Sequence, residues 1–185
     1  NFVIGGYEKD KGKDQEDGAI TFNYSAKINL TASLLGDDLL YTRLKTGNFG
    51  ETIFSSKDYG NYLVAANSND GLKVDKIWYQ FPIGGSLTAW IGPKIENYYM
   101  LASSPSIYKS VQKQFSLGGN AGAYASSTDG GFGLAWVQPV EDALRPRWAV
   151  STNYVSKGAT KSNEDGGGIF ANDTQSKWLT KLEYG

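Results

Sequence analysis

The chain contains no histidine, no cysteine and a single methionine. Those absences exclude Ser-His-Asp and Cys-His nucleophilic machinery, His/Cys zinc centres, thiolate chemistry and a disulfide framework. What survives is carboxylate chemistry, cations held by oxygen ligands, or no chemistry. Neither sign of charge is in surplus, since 18 Lys and Arg stand against 19 Asp and Glu, and no basic run forms the stripe that phosphate backbones need. Nucleic acid is therefore not an expected partner. No apolar run approaches the ~20 residues of a spanning helix. Mean hydropathy is −0.40, but an average of this kind conceals the alternating strands of a membrane β-barrel. The start carries neither a methionine nor the charged-then-apolar profile of a signal peptide, so Asn1 is expected to open a mature chain or an excised piece.

Glycine and aromatics are what the chain has in quantity: 23 Gly, 12 Tyr, 8 Phe and 5 Trp in 185 residues that are 40% hydrophobic. That is enough to bury a core, and residues 1–185 read as a single unit. From Ile20 to Leu34 apolar and polar residues alternate without exception, with Ile20, Phe22, Tyr24, Ala26, Ile28, Leu30, Ala32 and Leu34 on one side. Period two means a strand with one apolar and one polar face. At ~3.3 Å per residue it would run roughly 50 Å, which suits a barrel wall better than a sandwich.

Three hairpins follow from the same pattern. The first joins that strand to 39–46 through Leu35-Gly36-Asp37-Asp38. The second joins 76–81 to 87–92 through Pro82-Ile83-Gly84-Gly85-Ser86, with Pro82 where a strand should end. The third joins 131–137 to 147–154 through Glu141 to Pro146. Further strands are expected at 2–7, 119–125 and 177–184. Connections between hairpins are long and polar (7–18, 47–72, 97–118 and 157–175), and this short/long asymmetry is that of transmembrane barrels. One helix is expected, capped by Ser104 and running from Pro105 to Phe115.

On the polar parity lie Lys27, Arg43, Lys45, Lys76, Arg147, Lys177 and Lys181, with Glu183 as the acid among them. In a barrel this face would line a lumen whose low-dielectric walls focus the field of the cations and favour anions. Aromatics fall toward strand ends, at Tyr24, Trp78, Tyr79, Phe81, Trp90, Trp148, Trp178 and Tyr184, with Tyr98 and Tyr99 in a loop. They suit a membrane-interface girdle, and equally the packing of a soluble β-core. The stretches Asn163–Gly168 and Asn67–Gly71 are acidic but lack calcium-loop spacing, so solvated turns are expected and no metal site. Gly130-Gly131-Phe132-Gly133 lacks the spacing of a dinucleotide fingerprint, and glycines facing a crowded interior account for it. No strand face pairs two carboxylates for glycosidase work.

Phe22-Asn23-Tyr24, Asn29-Leu30, Gly36 with Asp38-Leu39-Leu40, Thr42-Arg43-Leu44 and Gly47-Asn48-Phe49 form one block. Asp75-Lys76-Ile77-Trp78-Tyr79 and Phe81-Pro82-Ile83-Gly84 form a second. Together they resemble the cyanobacterial outer-membrane porins described as carbohydrate-selective or iron-uptake porins, with looser similarity over most of residues 1–157. The resemblance implies an antiparallel transmembrane β-barrel in the bacterial outer membrane. It implies passive diffusion of small hydrophilic solutes (inorganic ions, sugars, iron species), no catalysis and no cofactor. It also implies outer-membrane lipid as a partner, homotrimers as an assembly found among porins, and peptidoglycan contact only through a surface-layer-homology domain that these residues do not contain. Barrels of the family are longer than this chain and bacterial barrels end in a strand with a terminal aromatic, whereas these residues close on Tyr184-Gly185. The expectation is thus part of a porin barrel, with the seven cations above lining the pore and the eight strand aromatics at the membrane interface. Residues 97–118 are the connection expected to fold inward. The competing expectation is a soluble β-sandwich that binds carbohydrate on Trp78, Trp90, Trp136, Trp148 and Trp178.

Overall fold

The computed structural model describes residues 1–6, 19–51, 63, 70–125, 128–142, 144–162, 167–171 and 173–185. The expected connection 7–18 and most of the two acidic stretches lie outside them. Eight strands form one antiparallel sheet in strict sequence order. They are β1 (Phe2–Gly5), β2 (Thr21–Ala32), β3 (Leu39–Gly47), β4 (Lys73–Ile83), β5 (Leu87–Ile95), β6 (Asp129–Val137), β7 (Trp148–Ser156) and β8 (Ser176–Tyr184). β1 pairs with β2 and β8 with β7, but β1 and β8 do not pair with each other, so the sheet is open rather than a closed barrel. Among the described residues no second sheet faces it, so the two-layer sandwich is not the architecture.

The three expected hairpins are present, and the short connections share one end of the sheet. β2 stops at Ala32, before the expected Leu34, because the next residues are captured by Asp38. Its carboxylate accepts from Ser33 Oγ at 2.6 Å and from the amides of Leu34 and Leu35 at 2.9 and 2.8 Å, and Gly36 turns the chain at φ +107°. Pro82 does not end its strand: it sits inside β4 opposite Thr88, and only Gly84–Ser86 form the turn. β7 begins at Trp148, leaving Arg147 in the connection before it.

Two expectations fail in the long connection between β5 and β6. Residues 104–115 are not helical apart from one 3₁₀ turn at Lys113–Phe115, and 119–125 are not a strand but carry α1 (Ala121–Tyr124). Serines take the local backbone away from a helix ladder: Ser104 Oγ donates to the Ser106 carbonyl at 2.9 Å, and Ser106 Oγ accepts from the Tyr108 amide at 3.1 Å.

Two irregularities set which way side chains point. Arg43 pairs with Lys76 but its neighbour Leu44 pairs with Val74, so Asp75 is an extra residue in β4. A second extra residue lies near Gly92 and Pro93 of β5, where Ile77 pairs with Lys94 but Tyr79 with Ile91. A Cβ on Gly92 would stand 2.5 Å from the Trp78 Cβ, so glycine is what lets the strands close there.

The core is small, and it sits on the polar side of the sheet. Trp78, Trp90, Ile95, Met100, Ala135 and Val155 pack together where residues 95–102 cross β4 to β7.

Candidate functional site: the covered polar face

Register places Lys27 with Lys45, Asn29 with Arg43 and Arg43 with Lys76 on one face, and Gly133 with Asn153 and Ser151 with Lys181 on its continuation. This is the face that is covered. Asn23, Ser25, Lys76, Ser151 and Asn153 are buried there. The opposite face is apolar and bare: Phe22 is 70% exposed, Ile28 51%, Ile91 56% and Leu182 66%. The amphipathicity of the sheet is therefore inverted relative to a water-soluble protein, which hides its apolar face and wets its polar one.

What covers the polar face is the connection 96–125, which contains the segment 97–118 expected to fold inward. Asn97, fully buried, donates to Asn153 Oδ1 at 2.7 Å and to the Lys177 carbonyl at 3.3 Å. Asn153 in turn donates to the Met100 carbonyl at 3.2 Å, and the Ala102 amide donates to Ser151 Oγ at 2.7 Å. A Cβ on Gly133 would lie 2.9 Å from the Met100 Cβ and 2.6 Å from that of Asn153, so the bare glycine is the seat of the methionine. The glycines of 130–133 do face crowded surroundings, as expected.

Six of the seven expected cationic residues divide into three groups. Arg43, Lys45 and Lys76 converge on Asp75, at 3.4, 3.8 and 3.8 Å, and Lys76 reaches Glu96 at 3.0 Å. Lys76, 4% exposed, also contacts Thr128. Arg43 donates to Asn29 Oδ1 at 3.2 Å and to the Tyr41 hydroxyl at 3.0 Å, contacts the Tyr99 hydroxyl, and lies 5.8 Å from the centres of both tyrosine rings. Lys177 and Lys181 instead grip the connection: Lys177 donates to the Gly122 and Ala125 carbonyls at 2.5 and 3.0 Å, and Lys181 to Ser103 Oγ at 3.1 Å and Glu183 at 2.7 Å. Lys27 makes no hydrogen bond or ion pair among the described residues. Arg147 joins none of these groups. It lies exposed at the short-turn end, with its backbone paired to Gly185.

The face is accordingly less purely cationic than its parity suggests. Asp75 and Glu96 join Glu183 on it, and Asp75 reaches it only because the extra residue in β4 reverses the alternation before Lys76. The same reversal brings Lys73, absent from the sequence expectation, opposite Lys45.

The aromatics also divide. Tyr24, Tyr79, Phe81, Trp148, Trp178 and Tyr184 lie on the apolar face. Trp148 meets Tyr184 at 4.8 Å at the short-turn end, and Phe132, Tyr154, Phe170 and Trp178 gather toward the other end. Trp78 and Trp90 do not belong to an interface. They point to the covered face at 5% and 7% exposure, Trp90 donating to Gln80 Oε1 at 2.9 Å and Trp78 stacking on Tyr41 at 4.8 Å. Tyr98 and Tyr99 stack at 4.4 Å in the covering connection. Burial raises the Tyr98 phenol far above its ordinary value, and pushes that of Tyr99 up to about 12 against the opposing pull of Tyr98 and Arg43. Both therefore stay neutral at physiological pH.

No group of three or more Asp or Glu able to hold a metal ion occurs among the described residues, and no helix is long and apolar enough to cross a membrane. The arrangement offers a polar, charged surface under a fixed strap.

No family model and no solved structure matches the chain. Over 155 residues, 80% of the chain, it is 27% identical to the uncharacterized protein sll0772 of Synechocystis sp. (strain ATCC 27184 / PCC 6803 / Kazusa), of which that stretch spans 27%. The chain thus corresponds to about a quarter of the length of the relative it is similar to.

Proposed function

We propose that these strands form part of the wall of a transmembrane β-barrel in a bacterial outer membrane, serving as a porin for passive diffusion of small hydrophilic solutes and ions. The observation that carries this reading is the inverted amphipathicity: Phe22, Ile28, Ile91 and Leu182 bare on one face, Asn23, Ser25, Lys76 and Asn153 buried on the other. A row of exposed aliphatic side chains flanked by aromatics suits a bilayer, and a face of lysines, serines and asparagines suits a lumen. The short turns at one end and long connections at the other fit the same reading, as does the porin-like sequence of residues 20–49 and 74–92. The open edges of β1 and β8 would be filled by further strands, since unpaired backbone groups are costly in lipid.

In this reading the connection 96–125 narrows the lumen, and the Arg43–Lys45–Lys76 cluster sets its charge. Selection is by width and by field, with no catalytic step and no cofactor. The test is to purify the protein from its native cells in mild detergent and add it to a planar bilayer. Discrete conductance steps are expected. Recovery as a monodisperse protein in detergent-free buffer, with a silent bilayer, would overturn the reading.

A further inference from the structure

Lys27, Lys45 and Lys73 stand abreast on three successive strands, Lys27 paired with Lys45 and Lys45 with Lys73. Neighbouring strands lie about 4.8 Å apart, and like charges set directly opposite in a ladder oppose the pairing. Among the described residues the carboxylate paired with this row is Asp75, which lies 3.8 Å from Lys45 but also serves Arg43 and Lys76. Asp75 is thus shared among three cations, of which Lys76 also has Glu96, and the side chains of Lys27 and Lys73 have no hydrogen bond or ion pair among the described residues. Lys27 also lines a cavity of about 700 Å³, bounded across from it by Tyr108, Lys109, Ser110 and Ser116 of the covering connection. A second lysine and two serine hydroxyls therefore border the space that Lys27 enters.

We propose that the Lys27–Lys45–Lys73 row, with Lys109 across the cavity, is a binding station for multiply charged oxyanions of small solutes, inorganic phosphate being the simplest. The inference rests on the pore reading for its purpose, because a solute must reach a face that the connection covers. Its geometry is independent of that reading. A tetrahedral oxyanion has enough acceptor oxygens to bridge two or three ammonium groups at strand spacing, whereas chloride meets them one at a time. The excess of cations over carboxylates in this row is the charge that such a ligand would compensate. Farther along the face, Lys76 is already satisfied by Glu96, and Lys181 by Glu183. Those lysines hold the strap, and the row is what remains for a ligand.

The test uses the native protein in detergent and two readouts at constant ionic strength. Phosphate binding is followed by the ³¹P line width of inorganic phosphate, with chloride as competitor, and conduction is followed in planar bilayers. Saturable binding that excess chloride displaces poorly is expected, weakened roughly tenfold in each of K27Q and K73Q, as loss of one charge-assisted hydrogen bond predicts. R145Q, at the opposite end of the sheet, should bind as the parent does. Conductance without saturable phosphate binding, or binding unchanged by K27Q and K73Q, would overturn the station and leave the pore standing. A silent bilayer with lysine-dependent phosphate binding would overturn the pore and uphold the station. Far-UV circular dichroism of each variant separates lost binding from lost folding, and Lys27→Arg should restore binding that Lys27→Gln removes.

Discussion

The Nζ of Lys76 lies 3.0 Å from the Glu96 carboxylate, and this ion pair fastens the covering connection to the strand beneath it. Lys76 is 4% exposed, so removing its partner leaves a buried cation whose nearest carboxylate among its ion pairs is Asp75, at 3.8 Å, with the Thr128 hydroxyl beside it. Glu96→Gln should weaken the attachment by about 2 kcal/mol, a roughly thirtyfold larger detached population. Limited proteolysis within residues 101–116 would accelerate accordingly. Adding Lys76→Met should recover much of the loss, since removing both members of a buried pair costs less than removing one. An unchanged cleavage rate in Glu96→Gln would show that the pair is not the fastening.

Gly133 is the seat of Met100, and even one methyl is too much for it. Its Cβ would fall 2.6 Å from that of Asn153 and 2.9 Å from that of Met100. Gly133→Ala should cost about 1–3 kcal/mol, as overpacking does, and the strap rather than the sheet should yield. The expected signs are faster proteolysis of the connection with unchanged strand content by circular dichroism, and, in a bilayer, a larger unit conductance.

The two faces should respond oppositely to charge. Ile91, 56% exposed near the middle of β5, would face hydrocarbon in the proposed orientation. Ile91→Lys should then destabilise the protein in vesicles by about 2–4 kcal/mol, read from its urea midpoint. If the face met water, the same change would stay within about 0.5 kcal/mol.

Asp38 gives the short-turn end a dependence on pH. Hydrogen bonds from Ser33 Oγ and the Tyr79 hydroxyl, then from the Leu35 and Leu34 amides, hold its carboxyl well below the ordinary carboxylate range. A depressed native value means the stabilisation is complete above the unfolded value of about 4 and is lost as pH falls toward the native one. The midpoint of unfolding should therefore drop on acidification from pH 5 to pH 2. In Asp38→Asn that drop should be smaller, so the gap between variant and parent narrows with acid.

Much of the sheet is legible from alternation alone, because Ile20 to Ala32 and the three hairpins obey a period that no helix can share. The covering connection is not legible in the same way. Residues 104–125 have no strong period of their own, and their course is set by partners distant in sequence, such as Asn153, Ser151 and Lys177, which propensity does not register. Trp78 and Trp90 read as interfacial from their place near strand ends, yet their parity with Lys76 and Gln80 already put them on the polar face. Counting by twos misses Lys73 and Asp75 for a different reason: the extra residue between Lys76 and Val74 cannot be seen without the register of β3.

That extra residue gives β4 a position that can be lost without disturbing either face. Losing the single codon for Asp75 would remove the bulge and restore unbroken alternation to β4, with Val74 still opposite Leu44 and Lys73 still opposite Lys45, so that only the carboxylate would leave the wall. Point substitutions can adjust the charge of this wall one side chain at a time. An in-frame deletion at position 75 takes away the carboxylate that Arg43, Lys45 and Lys76 share while every other side chain keeps its face, so this is where the lineage of such a wall can change its selectivity abruptly.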